Sequence, residues 1–313
     1  MKINFPLLAL AVGAFAIGTT EFSPMGFLPE IANDLSVSIP QAGLLISAYA
    51  VGVMIGAPLM TLWLARFPKK TALILLMAIF TIGNVLATVA PDYMSLMGAR
   101  LITSLNHGAF FGLGSVVAAS VVPKDKQASA VAMMFMGLTI ANIGGVPLAT
   151  WLSQNTSWRM AFAAISILGI MTMLALWKAL PQDHDVVKPN VAKELRVLTR
   201  APVVLALLTT VMSAGAMFAL YTYIAPSLHV FMQASPQTIT LMLVLIGIGF
   251  SIGNHLGGKF ADLSLEKTLI GFLVLLMVMM LVFPVLAQTT VGAAIGLMIW
   301  GAAAFAVVPP LQM

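Results

Sequence analysis

Long apolar runs alternate with short polar interruptions along this chain, and the spacing of the interruptions predicts its elements. From Ala201 to Gly258 there is no Asp, Glu, Lys or Arg in 58 residues, and from Thr268 to Met313 there is none in 46. A helix needs about 20 apolar residues to cross the hydrocarbon of a bilayer, so each run holds two crossings and a turn. Polar turns stand where they are needed, at His229–Thr238 and Gln288–Thr290. Over the whole chain the pattern predicts ten spans: Phe5–Leu28, Ala42–Ala65, Thr71–Ala90, Ser95–Val121, Gln127–Leu152, Met160–Trp177, Pro202–Leu228, Thr238–Gly258, Leu269–Ala287 and Val291–Leu311. The short alternating segments of a membrane β-barrel are absent. The fold class is therefore all-α, a polytopic membrane protein.

One sizeable charged segment, Lys178–Arg200, interrupts the pattern. It divides the chain into an N-terminal six-helix bundle at 1–180, a linker at 181–200 and a C-terminal half with four helices at 201–313. The halves repeat each other at a constant offset of 197 residues: Gly18 pairs with Gly215, Pro29 with Pro226, Gly52 with Gly249, Gly56 with Gly253, and Lys70-Thr71 with Lys267-Thr268. Duplicated halves of this kind are a transporter signature. Two such units would occupy about 394 residues, roughly two spans more than are present, so ten helices stand where the repeat implies twelve and the chain reads as truncated.

Composition adds exclusions. Of 313 residues, 60% are hydrophobic and 8% charged, and a mean hydropathy of +1.04 excludes an ordinary soluble globule. The absence of Cys excludes disulfides and thiolate metal sites. The first apolar stretch lacks a cleavage site and runs on into Glu21 and Phe22, which argues against a signal peptide. With the N-terminus in the cytoplasm, 13 of the 15 basic residues fall on the inner side, leaving Arg100 and Arg159 towards the outside. The net charge of +5 thus expresses the positive-inside rule rather than affinity for nucleic acid. No HExxH, GxSxG or acidic cluster is present, and Gly247, Gly249 and Gly253 lie within a span at the wrong spacing for a dinucleotide loop. The chemistry expected is not enzymatic, and neither a cofactor nor a metal is implied.

Several motifs resemble the major facilitator superfamily, in particular its bacterial drug:proton antiporter branch with the arabinose-efflux-like permeases. Gly18-Thr19-Thr20-Glu21-Phe22, continuing through Gly26-Phe27-Leu28-Pro29 to Ile31-Ala32-Asn33-Asp34-Leu35, is similar to that branch's first helix and outer loop. Gly145-Val146-Pro147-Leu148 resembles its fifth-helix antiporter motif, and Trp158-Arg159-Met160-Ala161-Phe162 the start of its sixth helix. The resemblance implies two six-helix halves with a substrate cavity between them.

Candidate residues follow. Glu21, deep in the first span, would cost about 3 kcal/mol if ionised in hydrocarbon. It is either a proton-coupling acid or a residue near the outer end of a tilted helix that reaches water. Arg100 resembles the arginine that the family associates with proton transfer, although Ser104 replaces the usual glycine; it could equally anchor the interface beside Asp92 and Tyr93. His107 is a titratable or a structural hydrogen-bonding group. Asn106, Asn142, Asn254, Tyr49, Tyr221 and Tyr223 are candidates to line a cavity. Small residues four apart, Gly137, Ala141, Gly145 and Ala149 in the fifth span and Gly249, Gly253 and Gly257 in the eighth, allow close backbone approach. The resemblance implies that these spans meet across the two halves, as a seam bent at Pro147, and that Gly52 and Gly56 would face an eleventh helix. Arg66, Lys69 and Lys70 resemble a cytoplasmic gating motif lacking its acid and Gly, while Gly258 and Asp262 keep both in the second half.

The reading is a monomeric transporter of the bacterial inner membrane that exports a small organic solute, such as a sugar or drug, in exchange for protons. Uniport, proton symport and a transport-inactive truncated scaffold are the alternatives.

Overall fold

The computed structural model describes residues 4–181, 200–261 and 263–311. Among them ten helices are long and apolar enough to cross a membrane: α1 Phe5–Gly26, α2 Ile39–Leu64, α3 Lys69–Thr88, α4 Tyr93–Ser120, α5 Ser129–Asn155, α6 Trp158–Ala179, α7 Val203–Tyr221, α8 Pro236–Ala261, α9 Leu265–Leu286 and α10 Thr290–Leu311. The described residues form two compact units, 4–141 with 148–181, and 142–147 with 200–311. The predicted linker lies almost wholly outside the described residues.

The 197-residue repeat extends to the capping atoms. α2 and α8 each run 26 residues and begin 197 apart, at Ile39 and Pro236. Ser38 Oγ accepts the Gln41 N–H, and Ser235 Oγ accepts the Thr238 N–H, so each helix starts on the same side-chain cap. α4 and α10 start at Tyr93 and Thr290, capped by Asp92 and Thr289. Short helices, Leu28–Asp34 after α1 and Ile224–Met232 after α7, also correspond. Each is followed by a left-handed residue, Ser36 at φ 53° and Gln233 at φ 50°. These are the only non-glycine residues with positive φ among those described. A turn that non-glycine residues rarely adopt is thus kept in both copies.

The repeated glycines have one packing role. A Cβ on Gly52 would meet the Leu101 carbonyl and Ser104, and one on Gly249 would meet the Met298 carbonyl. Gly56 lies on the Leu105 backbone and Gly253 on that of Ala302. The contacted residues are again 197 apart, so α2 crosses α4 as α8 crosses α10, at a backbone separation that only glycine permits.

The units differ where α4 breaks. Thr103 and Ser104 hydroxyls donate back to the Ala99 and Leu101 carbonyls, competing with the backbone ladder. The helix opens at Leu105-Asn106 and restarts at His107; α10 continues through the corresponding positions. α5 carries a π turn at Ala141–Gly145 immediately before Pro147. Proline lacks an N–H and its ring crowds the carbonyl four residues back, so the turn widens there. In the most apolar stretch of α1 61% of residues are buried, against 11% in α7, because α5 and α6 cover α1 within the first unit.

Candidate functional site

Four side chains from α1, α2 and α4 meet inside the first unit. The Arg100 guanidinium donates through Nη1 to the Thr20 carbonyl at 2.9 Å and lies over the Tyr49 ring, 4.3 Å from its centroid. Tyr49 Oη stands 3.2 Å from His107 Nδ1, which is 3.9 Å from Glu21 Oε2. The Thr20 hydroxyl donates to Asn84 Oδ1 at 2.7 Å, and Asn84 Nδ2 donates to the Phe80 carbonyl at 2.9 Å. α3 therefore steadies the turn of α1 that carries Glu21. On the far side His107 lies 5.2 Å from Phe111, which stacks on Phe135 at 5.1 Å. An aromatic wall thus runs from α2 through α4 to α5.

Accessibility separates the partners. Arg100 is 1% exposed, whereas the side chains of Glu21 and His107 keep 17% and 16%. Arg100 Nε and Nη2 have no hydrogen-bond partner. A buried cation with idle donors is costly unless an anion stands near it, and Glu21 is the carboxylate whose charge it feels. The cluster joins a reachable acid, a cation pinned to the backbone and a tyrosine–histidine pair.

A second cluster ties three interhelical connections of this unit together. Asp34, ending the short helix after α1, accepts from Arg159 Nη1 and from Trp158 Nε1 at 3.0 Å. Arg159 Nη2 donates to the Ala90 carbonyl after α3 at 2.9 Å, and its guanidinium lies 4.1 Å from the Trp158 ring centroid. The Arg159 hydrogen bond holds the Asp34 carboxyl below its ordinary range. Burial pushes the Glu30 carboxyl up, and its Oε2 has no partner. Asp92 is held down by the Ser95 backbone N–H.

The sequence profile of the Major Facilitator Superfamily matches residues 10–313. The chain belongs to this family. It is 67% identical over 313 residues to the Inner membrane transport protein YdhP of Escherichia coli strain K12, covering 100% of this chain and 80% of that protein. It is 31% identical over 261 residues to the Chloramphenicol resistance protein of Streptomyces lividans, covering 82% of this chain and 67% of that protein. A solved bacterial homologue of the human lysosomal transporter Spinster superposes with a TM-score of 0.77 at 18% identity, over 99% of this chain and 75% of the other, which reports the shared fold. The protein is a multi-pass membrane transporter of the Major Facilitator Superfamily.

Within this transporter the predicted residues separate into three groups. Glu21, Arg100, His107 and Tyr49 come together. Others pack structurally. Tyr221 is buried against Phe250 and Trp300. Asn106 is buried with its amide towards Met77 on α3. Gly137 faces the Ala11 carbonyl and the Phe15 amide of α1. Gly249, Gly253 and Gly257 face the backbone of α10 at Met298, Ala302 and Ala306. Each of these four glycines makes its closest backbone approach inside one unit. Gly52 and Gly56 likewise face α4. Arg66 stacks on Trp63 and Phe67, and Lys70 Nζ donates to the Leu180 carbonyl at the end of α6 at 2.8 Å.

The rest lie on other stretches of the chain. Asn142 is buried in the π turn, and Gly145 and Pro147 are buried beside it. Tyr223 caps the short helix after α7, Asn254 is exposed on α8, Lys69 begins α3, and Gly258 is half-buried. Asp262 lies outside the described residues. Thr20, Asn84 and the Asp34–Arg159 pair were missed from the sequence. Polar residues at mid-span were the available signal for the first two, and the quoted motifs already contained Asp34 and Arg159.

Proposed function

We propose that this transporter exports a small organic solute from the cytoplasm in exchange for protons, by alternating access, with Glu21 as the coupling acid. The observation that carries this reading is the cluster itself: a carboxylate of low exposure beside a buried guanidinium and a tyrosine–histidine pair. Protonation removes the carboxylate's charge and frees Arg100 from its influence; deprotonation restores both. Each state favours a different arrangement of α1 against α4, so proton binding and solute binding become linked through one element. The similarity to a protein named for chloramphenicol resistance supports efflux. The distribution of basic residues supports a cytoplasmic N-terminus and linker in a bacterial inner membrane. The protein functions as a monomer.

The test is retention of labelled solutes (a pentose, a purine nucleoside, chloramphenicol and a lipophilic cation) in cells with and without the protein. Lower retention of one solute, restored to the control level by a protonophore, is expected. Lower retention that survives the protonophore would instead indicate uniport.

A further inference from the structure

In an α-helix the carbonyl of residue 20 accepts the N–H of residue 24. Residue 24 is Pro24, which lies inside α1 and has no N–H to give. The Thr20 carbonyl is therefore left without its helical donor in a fully buried turn, where an unpaired carbonyl is costly. Arg100 Nη1 fills that position at 2.9 Å. With one N–H committed there, the guanidinium is held over Tyr49, 4.3 Å from its ring centroid, and Nε and Nη2 stay uncommitted. We propose that Pro24 is a positioning residue for Arg100: by withholding a backbone donor it creates the acceptor that pins the guanidinium beside Glu21.

The internal repeat supplies an independent comparison. The counterparts of Pro24 and Arg100 at the 197-residue offset are Tyr221 and Leu297. Tyr221 retains its backbone N–H, and no guanidinium stands opposite. Donor-less residue and cation occur together in one copy and are both lacking in the other.

The inference rests on the proposed role of Glu21, and its test reads Glu21 directly so that the two can fail separately. The titratable groups facing Glu21 are Arg100 and His107 from α4 and Tyr49 from α2; α3, α5 and α6 carry no charged side chain at this depth. The experiment is infrared titration of the protonated-carboxyl band in purified protein, the band being assigned by its loss in Glu21→Gln. Pro24→Ala supplies the missing N–H, removes a helix-breaking ring and is expected to melt no lower than wild type. Its band midpoint should move in the same direction as in Arg100→Gln, by about half that displacement or more. Pro24→Gly, which also restores the donor, should do the same. A wild-type midpoint in both proline variants would overturn the proposal. If Arg100→Gln also titrates like wild type, the influence of Arg100 on Glu21 falls with it.

Discussion

Glu30 and Asp34 lie four residues apart on one short helix, and their carboxyls are shifted in opposite directions. Asp34 is held below the ordinary carboxylate range by Arg159, so its stabilisation is present above that range and is lost as pH falls through the depressed value. Asp34→Asn should therefore lower the melting temperature at neutral pH, and the gap to wild type should close in acid. The side chain is 48% exposed, so the loss is under about 1 kcal/mol. Glu30 is the reverse, because burial raises it. The folded state favours the protonated acid, and stability falls as pH rises through the raised value. Glu30→Gln should raise the melting temperature above that range and change nothing in acid. Thermal unfolding in detergent across pH checks both; parallel curves for either variant and wild type would contradict the assignment.

At the level of elements, the α2–α4 and α8–α10 crossings make the strongest demand on residue size. Gly52→Ala places a methyl on Ser104 Oγ and the Leu101 carbonyl, at a cost of about 1–3 kcal/mol. Ser104→Gly in the same chain should recover much of it, because the hydroxyl is one of the two obstacles. The nearest obstacles to Gly253→Val are Ala302 backbone atoms, which no side-chain change opposite removes, so its loss should be at least as large. Melting of the three variants distinguishes the crossings. The glycines were visible in the sequence as a repeat in register, and so were the ten helices, because apolar length and turn chemistry are local properties. Their partners were not visible. A glycine stripe says that some backbone approaches closely, and Gly249, Gly253 and Gly257 gave no indication that the backbone belonged to α10. The break in α4 was equally hidden, since Thr103 and Ser104 are compatible with a helix until their hydroxyls turn back onto it.

At the scale of the whole molecule, one frame appears twice and one set of chemistry once. Glu21, Tyr49, Arg100 and His107 correspond at the 197-residue offset to Phe218, Ile246, Leu297 and Ala304. The second unit keeps the caps, the left-handed turns and the glycine crossing while replacing each of these polar positions with an apolar one. On the proposed function, coupling rests on one carboxylate of the first unit, and Glu21 alone should decide it. The most direct measurement is solute-induced proton movement in inverted membrane vesicles, followed with a fluorescent pH probe for wild type and Glu21→Gln. The account predicts that a transported solute moves protons in wild type and moves none in Glu21→Gln, although the variant inserts normally. Proton movement of equal size in both would contradict it.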